Sequence, residues 1–395
     1  MEMRTTLRSL VLISISILLT NVTSTTSWAI QNGVVATSAP NVVSIIKEYA
    51  DGNRFGNCSG ALLSSRVVVT AAHCVTEDQT GLLAAKVWVT PPGAKFKDYS
   101  ENDKKYSILD TTTNLAESRA LYERYRAVSI KITSTYYSSS NIVEDNDVAF
   151  LILENPLPMT SNIVLASDEE TENFITRETT TRVYGYGNTA FKNGSSQAPM
   201  TTTMTLSFKS NTVMNSAYLI SSTSSACPGD SGGPVVVSTP TKLYLVGIVS
   251  GGPSAEVGPE CARKIDGYYY TLITLVTKYA NLAFAAAMEA ENLVEQSRLK
   301  LELEYQKAKD AERVADLALK ASQETLSSAE VSLRTLEEEK KKINLESDAL
   351  RKQLADLEAK FVAIEKERDL TLSQLSKQQN KLARICKVRP KPKYC

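Results

Sequence analysis

Histidine occurs once in this sequence, at position 73, in the run Val67-Val68-Val69-Thr70-Ala71-Ala72-His73-Cys74. Imidazole is the side chain that exchanges a proton near neutral pH, so it suits the base that acyl transfer by a serine nucleophile requires. Such a serine stands in Ala226-Cys227-Pro228-Gly229-Asp230-Ser231-Gly232-Gly233-Pro234, the most specific motif of the chain. A hydroxyl is a weak nucleophile until a base removes its proton during attack, so Ser231 needs His73 within hydrogen-bond reach. The glycines around Ser231 let the backbone turn tightly and come close to a substrate. A lone histidine elsewhere would be an ordinary surface or core residue. The setting singles this one out.

Positioning these groups falls to a long β-rich region. From about Ile30 to Tyr270, short apolar or alternating runs are separated by Gly, Pro, Asn and Ser, as in Arg66–Thr70, Val148–Leu153, Thr181–Tyr186, Thr202–Phe208, Pro234–Val237 and Leu243–Ser250. Their β-branched and aromatic content predicts an all-β sandwich or barrel. The polar stretch Pro91–Arg126, with a helical pattern over Asn114–Arg126, reads as a long surface insertion.

The last third of the chain is different, being rich in Glu, Lys, Leu and Ala. No glycine follows Gly267 and no proline lies between Pro259 and Pro390, so a helix from near Leu272 meets no breaker until about Ile385. Leu336, Ile343, Leu350, Leu357 and Ile364 recur every seventh residue. Leu319, Leu326, Leu333, Leu354, Phe361, Leu375 and Leu382 fill much of the complementary position, which predicts a coiled-coil seam. Lys340, Ser347 and Arg368 interrupt it. About 100 helical residues make a rod of roughly 150 Å unless the chain folds back.

The N-terminus has the pattern of an export signal over residues 1–29: Arg4 and Arg8, an apolar stretch from Leu10 to Leu19, then Ser27-Trp28-Ala29. Six cysteines in an exported chain read as disulfides, because the destination is oxidising. The 395 residues carry 44 basic and 44 acidic side chains, so bulk charge argues neither for nor against a polyanionic partner, and no nucleic-acid partner is expected. Without a second histidine or a close Cys-x-x-Cys pair no metal site is expected, and no cofactor is called for. The tail 386–395 is basic and holds Cys386 and Cys395; contact with an anionic cell surface and a merely solvated end are both open. Asn21, Asn57 and Asn193 begin glycosylation sequons.

With Thr70-Ala71-Ala72-His73-Cys74, the Ser231 motif closely resembles the chymotrypsin/trypsin serine endopeptidases, and Asn146-Asp147-Val148-Ala149-Phe150 looks like that family's aspartate strand. The order His, Asp, Ser along the chain is also the family's. The resemblance covers about Ile30 to Phe284 and implies two antiparallel β-barrels with the site between them, followed by the long α-helical coiled-coil extension. The implied divisions are 30–283 for the protease domain, 284–385 for the coiled coil and 386–395 for the tail. Asp147 would orient and stabilise His73, and the N–H groups of Gly229 and Ser231 would form the oxyanion hole. Asp230 would pair with a freed ammonium of Ile30, since Ile30-Gln31-Asn32-Gly33 resembles the family's mature start. Because Ile30 directly follows Ser27-Trp28-Ala29, signal peptidase itself could release it; cleavage near Ser24 and a second cut is the alternative.

By the same resemblance Ser225 is the floor of the primary pocket, with Ser250 beside the aspartate and Gly252 and Gly267 on the walls. An uncharged floor suits large apolar or aromatic side chains, although Asp266, one residue away from Gly267, would favour Lys or Arg if it lined the wall. Gly251 stands where the family often has a large aromatic, which implies a wider cleft beyond the pocket, and Pro228 at the rim is also unusual. The pairings Cys58–Cys74 and Cys227–Cys261 follow from the resemblance, which leaves Cys386 and Cys395 to pair with each other or to cross-link two chains. The expectation is a secreted serine endopeptidase acting on peptide bonds, its coiled coil self-associating or docking a helical partner. A catalytically silent binding or adhesion module on a stalk is the rival.

Overall fold

The computed structural model describes residues 30–52, 55–77, 81–101, 104–134, 136, 145–187, 196–253, 261–325 and 333–385. The expected signal segment, Asn193, and the tail with Cys386 and Cys395 lie outside them. Sixteen strands are described: β1 Val34–Val35, β2 Val42–Glu48, β3 Phe55–Ser64, β4 Val67–Thr70, β5 Lys86–Val89, β6 Phe96–Glu101, β7 Lys104–Leu109, β8 Ala127–Ile132, β9 Ala149–Leu153, β10 Ile163–Leu165, β11 Thr180–Gly185, β12 Met200–Lys209, β13 Ser216–Ser221, β14 Pro234–Ser238, β15 Leu243–Gly251 and β16 Tyr269–Leu275.

They form two barrel-like antiparallel sheets. The first runs β5-β2-β3-β4-β9-β8, and its ends are drawn together by a bridge between Trp88 and Arg126. The second runs β12-β11-β14-β15-β16-β13, and β13 pairs back onto β12 to close it, with β1 added beside β12 and β10 lying parallel to β15. Period-two alternation is weak in the central strands because both faces are covered: all five residues of β9 and all four of β4 are buried. One core joins Val43, Leu62, Val68, Phe150 and Leu151, and a second joins Val183, Leu206, Leu219, Val246 and Ile273. Burying a side chain of this size contributes about 1.5–3 kcal/mol.

The surface insertion is present and folded. It holds the β6–β7 hairpin and helix α1, Leu115–Arg124, whose first turn is capped by Asn114 accepting from the Glu117 N–H. A second short helix, α2, Asp168–Thr176, begins with a capping box in which Ser167 and Glu170 satisfy each other's backbone.

The C-terminal third corrects two expectations. Leu272 lies in β16, and helix begins only at Ala280, after a 3-10 turn over Val276–Tyr279. There is then not one helix but two, α3 Ala280–Thr325 and α4 Leu333–Ile385, lying side by side and antiparallel. Tyr305 donates to Glu358 (3.0 Å), Arg351 to Glu312 (2.9 Å), and the Arg298 guanidinium lies over the Phe361 ring. The less exposed residues of α4 include a set spaced by threes and fours, through Ile343, Ser347, Leu350, Leu354, Leu357, Phe361, Ile364, Arg368, Thr371 and Leu375. Several residues expected in a seam, Ser347 and Arg368 among them, lie on this stripe, and α4 meets α3 of the same chain. The matching stripe on α3 includes Val294, Leu301, Ala308, Ala315 and Leu319 but also Arg298, Tyr305 and Glu312, so its sequence hides the pattern.

The division expected at 283/284 falls inside α3. Ala283, Ala286 and Ala290 belong to the core of the first barrel. Helix α4 returns to the same barrel, where Arg66 donates to Glu367 (2.7 Å) from a buried position beneath it. No described helix is long and apolar enough to cross a membrane.

Candidate active site

Thr70 ends β4, and the next residues tighten into a 3-10 turn, Ala72–Cys74, that presents His73 at the junction of the two sheets. Lys47, buried under this turn, donates to the carbonyls of His73 (2.9 Å) and Thr76 (2.7 Å). The Cys58–Cys74 bridge ties the turn to β3. Asp147 arrives from the start of β9, after Asn146 in a left-handed conformation (φ 60°). The Asn146 side chain accepts from the Tyr279 hydroxyl at 2.9 Å.

Three donors converge on the buried Asp147 carboxylate. The His73 backbone N–H reaches Oδ1 at 3.0 Å, His73 Nδ1 lies 2.9 Å from Oδ2, and the Ser250 hydroxyl donates to Oδ2 at 2.6 Å. Burial works to raise this carboxyl, but the charge and hydrogen bonds of His73 and the Ser250 hydroxyl outweigh it and hold it below its ordinary value. An ionised acceptor at Nδ1 fixes the tautomer in which Nε2 carries the lone pair. The imidazole itself is 31% exposed.

Ser231 sits on the turn that leads into β14, next to this pair. Its carbonyl accepts from the Ser59 N–H at 2.8 Å and lies 3.6 Å from the Cys74 sulfur, beside His73 in the chain. The approach demands glycine at the following position. A Cβ on Gly232, whose φ is +77°, would stand 2.0 Å from Thr70 Oγ1 and 2.3 Å from the Ser59 carbonyl. Within the turn, the Asp230 N–H donates back to Cys227 and that of Gly232 to Val249. Among the described residues, none accepts from the N–H of Gly229 or Ser231, the two expected to form an oxyanion hole.

Asp230 points the other way, into the second barrel. Its carboxylate accepts from the N–H groups of Gly187 and Cys227, each at 2.8 Å, and from the Ile30 backbone. Ile30 is wholly buried. Burial pushes the Asp230 carboxyl up to about 7 against the lowering effect of these amide donors.

A hollow of about 200 Å³ opens beside Ser231, walled by Ala226, Pro228, Val249, Gly251 and Gly252, with Ser225 among its lining residues and the Cys227–Cys261 bridge at its edge. The Ser225 hydroxyl lies 3.4 Å from that of Thr271, and both residues are buried. Gly252 keeps the wall thin, since a Cβ there would meet the Tyr270 carbonyl at 2.7 Å. Gly267 does not line the hollow: it lies, with Asp266, in an exposed turn closed by the Ile265–Tyr268 bridge. The Tyr270 carbonyl and Thr271 stand opposite Gly252 instead. Asp266 therefore places no carboxylate on the wall. Ser250 touches Asp147 and not the hollow.

Cys58, His73 and Cys74 bring two sulfurs and a ring nitrogen within 4.8 Å of one another. The sulfurs are joined in a cystine, which offers no thiolate to a metal. Sequence reasoning missed Lys47, Ser59 and Thr271. Each acts through a single hydroxyl or ammonium on a distant backbone, and no local motif signals that.

The trypsin family model matches residues 34–273. Relatives include the proclotting enzyme of Tachypleus tridentatus, 27% identical over 247 residues, which are 56% of this chain and 57% of that protein. The serine protease filzig of Drosophila melanogaster is 27% identical over 49% of this chain and 11% of its own length. The CLIP domain-containing serine protease B15 of Anopheles gambiae is 26% identical over 49% of this chain and 54% of its own. The chain thus spans about half the length of two of these relatives and a tenth of the third. With two antiparallel barrels, two disulfides and a histidine–aspartate pair at their junction, matched over more than half its length, this chain belongs to the trypsin family.

Proposed function

We propose that this protein is a secreted serine endopeptidase whose catalytic groups are His73, Asp147 and Ser231. The observation that carries the reading is the set of three donors on a buried carboxylate, one of them His73 Nδ1 at 2.9 Å, beside the turn that bears Ser231. Ser231 Oγ attacks the scissile carbonyl as His73 Nε2 takes its proton, and the N–H groups of Gly229 and Ser231 hold the oxyanion. His73 then protonates the leaving amine, and water hydrolyses the acyl-enzyme with His73 again as base. Losing one oxyanion donor costs about 2.7–4 kcal/mol in such sites.

Cleavage ahead of Ile30 supplies the ammonium that answers the buried Asp230 carboxylate. The uncharged Ser225 and Thr271 hydroxyls, with the glycine wall, favour a large apolar or aromatic residue before the scissile bond. Disulfides and the named relatives support an extracellular setting. Two measurements test the reading on exported protein: labelling of Ser231 by a fluorophosphonate, and hydrolysis of peptides with Phe, Leu or Arg before the bond. Labelling with Phe preferred is expected. A folded protein starting at Ile30 that never labels is a silent module, and a preference for Arg overturns the specificity.

A further inference from the structure

Lys47 is the only buried lysine among the described residues, with 6% of its surface exposed. Taking an ammonium out of water is costly unless acceptors hold it. The residue stands near the end of β2, opposite Gly56 of β3. Its stem crosses that glycine so closely that a Cβ on Gly56 would lie 2.8 Å from Cε. Beyond it the ammonium passes 4.7 Å from the centre of the Tyr49 ring and ends on the carbonyls of His73 and Thr76, at 2.9 and 2.7 Å. The long, flexible stem is what lets a residue of β2 reach that turn.

The turn it reaches is short. The N–H groups of Cys74 and Val75 close it on the carbonyls of Ala71 and Ala72, and the Thr76 hydroxyl joins them on Ala72 at 3.1 Å. Lys47 closes the far end, where a helical turn leaves its last carbonyls facing outward and favours a cation. At His73 the result is a clamp from two sides. Its N–H, in the peptide unit before Cα, donates to Asp147 at 3.0 Å; its C=O, in the unit after, accepts from Lys47. Peptide units are planar, so holding both fixes the two soft backbone angles of His73. The direction in which the side chain leaves the turn is fixed with them. The Asp147 carboxylate then takes Nδ1 at 2.9 Å, and of these three restraints only the carbonyl bond is independent of Asp147.

We propose that Lys47 is a positioning residue for His73: its ammonium fixes the turn so that the imidazole keeps the orientation that attack by Ser231 needs, without touching substrate. The proposal rests on the peptidase reading for its kinetic consequence but not for the clamp itself, and the two are separable by experiment.

Lys47→Met keeps a stem of similar length and removes the charge and the donors. Stability should change little, because the desolvation no longer incurred offsets the two carbonyl bonds lost. On a peptide substrate kcat should fall about 10- to 100-fold with KM held within about twofold, the scale of a reacting group displaced by about 1 Å. Unchanged kcat, or a loss carried by KM, overturns the proposal. A second measurement reads the clamp without turnover. The chain holds one histidine, so protein made with isotope-labelled histidine has a single imidazole, and its Nδ1 proton reports the bond to Asp147. On a Ser231→Ala background, Lys47→Met should shift or broaden that resonance; a sharp, unmoved one overturns the proposal. Lys47→Arg retains charge and donors and should keep the resonance and most of kcat. A packing role predicts the opposite order, Met tolerated and the bulkier Arg not. Should Lys47→Met fail to fold, Lys47→Arg decides alone: the parent's resonance supports the clamp, and a displaced one in a folded protein overturns it. A resonance that moves in Lys47→Met when even the unaltered protein hydrolyses nothing sinks the peptidase reading and leaves the clamp standing.

Discussion

At the scale of single residues, the geometry around Asp147 sets the clearest expectation. Asp147→Asn preserves shape but presents an amide to His73, which favours the wrong tautomer; kcat should fall about 10⁴-fold with little change in melting temperature. Steady-state kinetics and thermal melts on the same sample check both halves. Asp230 gives a pH expectation with a definite sign. Its carboxyl is pushed up to about 7 while Ile30 is an amide within an uncut chain, against about 3.9 when unfolded. The folded state then holds the proton more tightly, so stability is full below about pH 4 and declines as pH rises toward and through 7. A chain beginning at Ile30 carries an ammonium there, and that decline should vanish, replaced by a loss above about pH 8 as the α-amino group deprotonates. Melting temperature against pH for the two forms distinguishes them. The runs around His73, Asp147 and Ser231 were legible as short local motifs. Lys47 and Thr271 were not, since any donor or hydroxyl reaching the same backbone from elsewhere would serve.

At the scale of elements, legibility followed periodicity. The seam of α4 was readable from its sevenfold leucines, whereas α3 meets it with Arg298, Tyr305 and Glu312, whose stems pack while their heads reach α4 or solvent. That mixture is why two antiparallel helices were read as one. Gly267 is the second failure: it lies in a short exposed turn at 265–268 and not among the residues lining the hollow, and spacing alone does not reveal where a turn falls. The docking of α4 on the barrel is also an element-level feature. Glu367→Gln removes the charge that faces buried Arg66, which keeps its bonds to the Leu153 and Glu154 carbonyls. A charged hydrogen bond of this kind contributes about 1.5–3 kcal/mol. Hydrogen exchange should quicken in the last turns of α4 and stay unchanged in β9 and β14. Uniform quickening through both sheets would show that the helix and barrels unfold as one unit.

At the scale of the molecule, the barrels and the helical pair are not separate bodies joined by a linker. Ala286 and Ala290 are wholly buried against the first barrel, and Val294 is buried where α4 begins to flank them. A chain ended after Phe284 should therefore melt roughly 5–10 °C lower, given about 2–4 °C per kcal/mol for a domain of this size. One ended after Ser297 keeps those contacts and should retain hydrolysis of a short anilide. Calorimetry and the anilide assay on both truncations test this. The antiparallel return of α4 has a consequence for behaviour at low abundance. A helical seam shared between chains comes apart on dilution, by mass action, because its partner must be met in solution. Here the partner is tethered a few residues away, and its effective concentration is fixed by the chain itself. The arm, about 69 Å long for the 46 residues of α3, should keep its shape at any dilution.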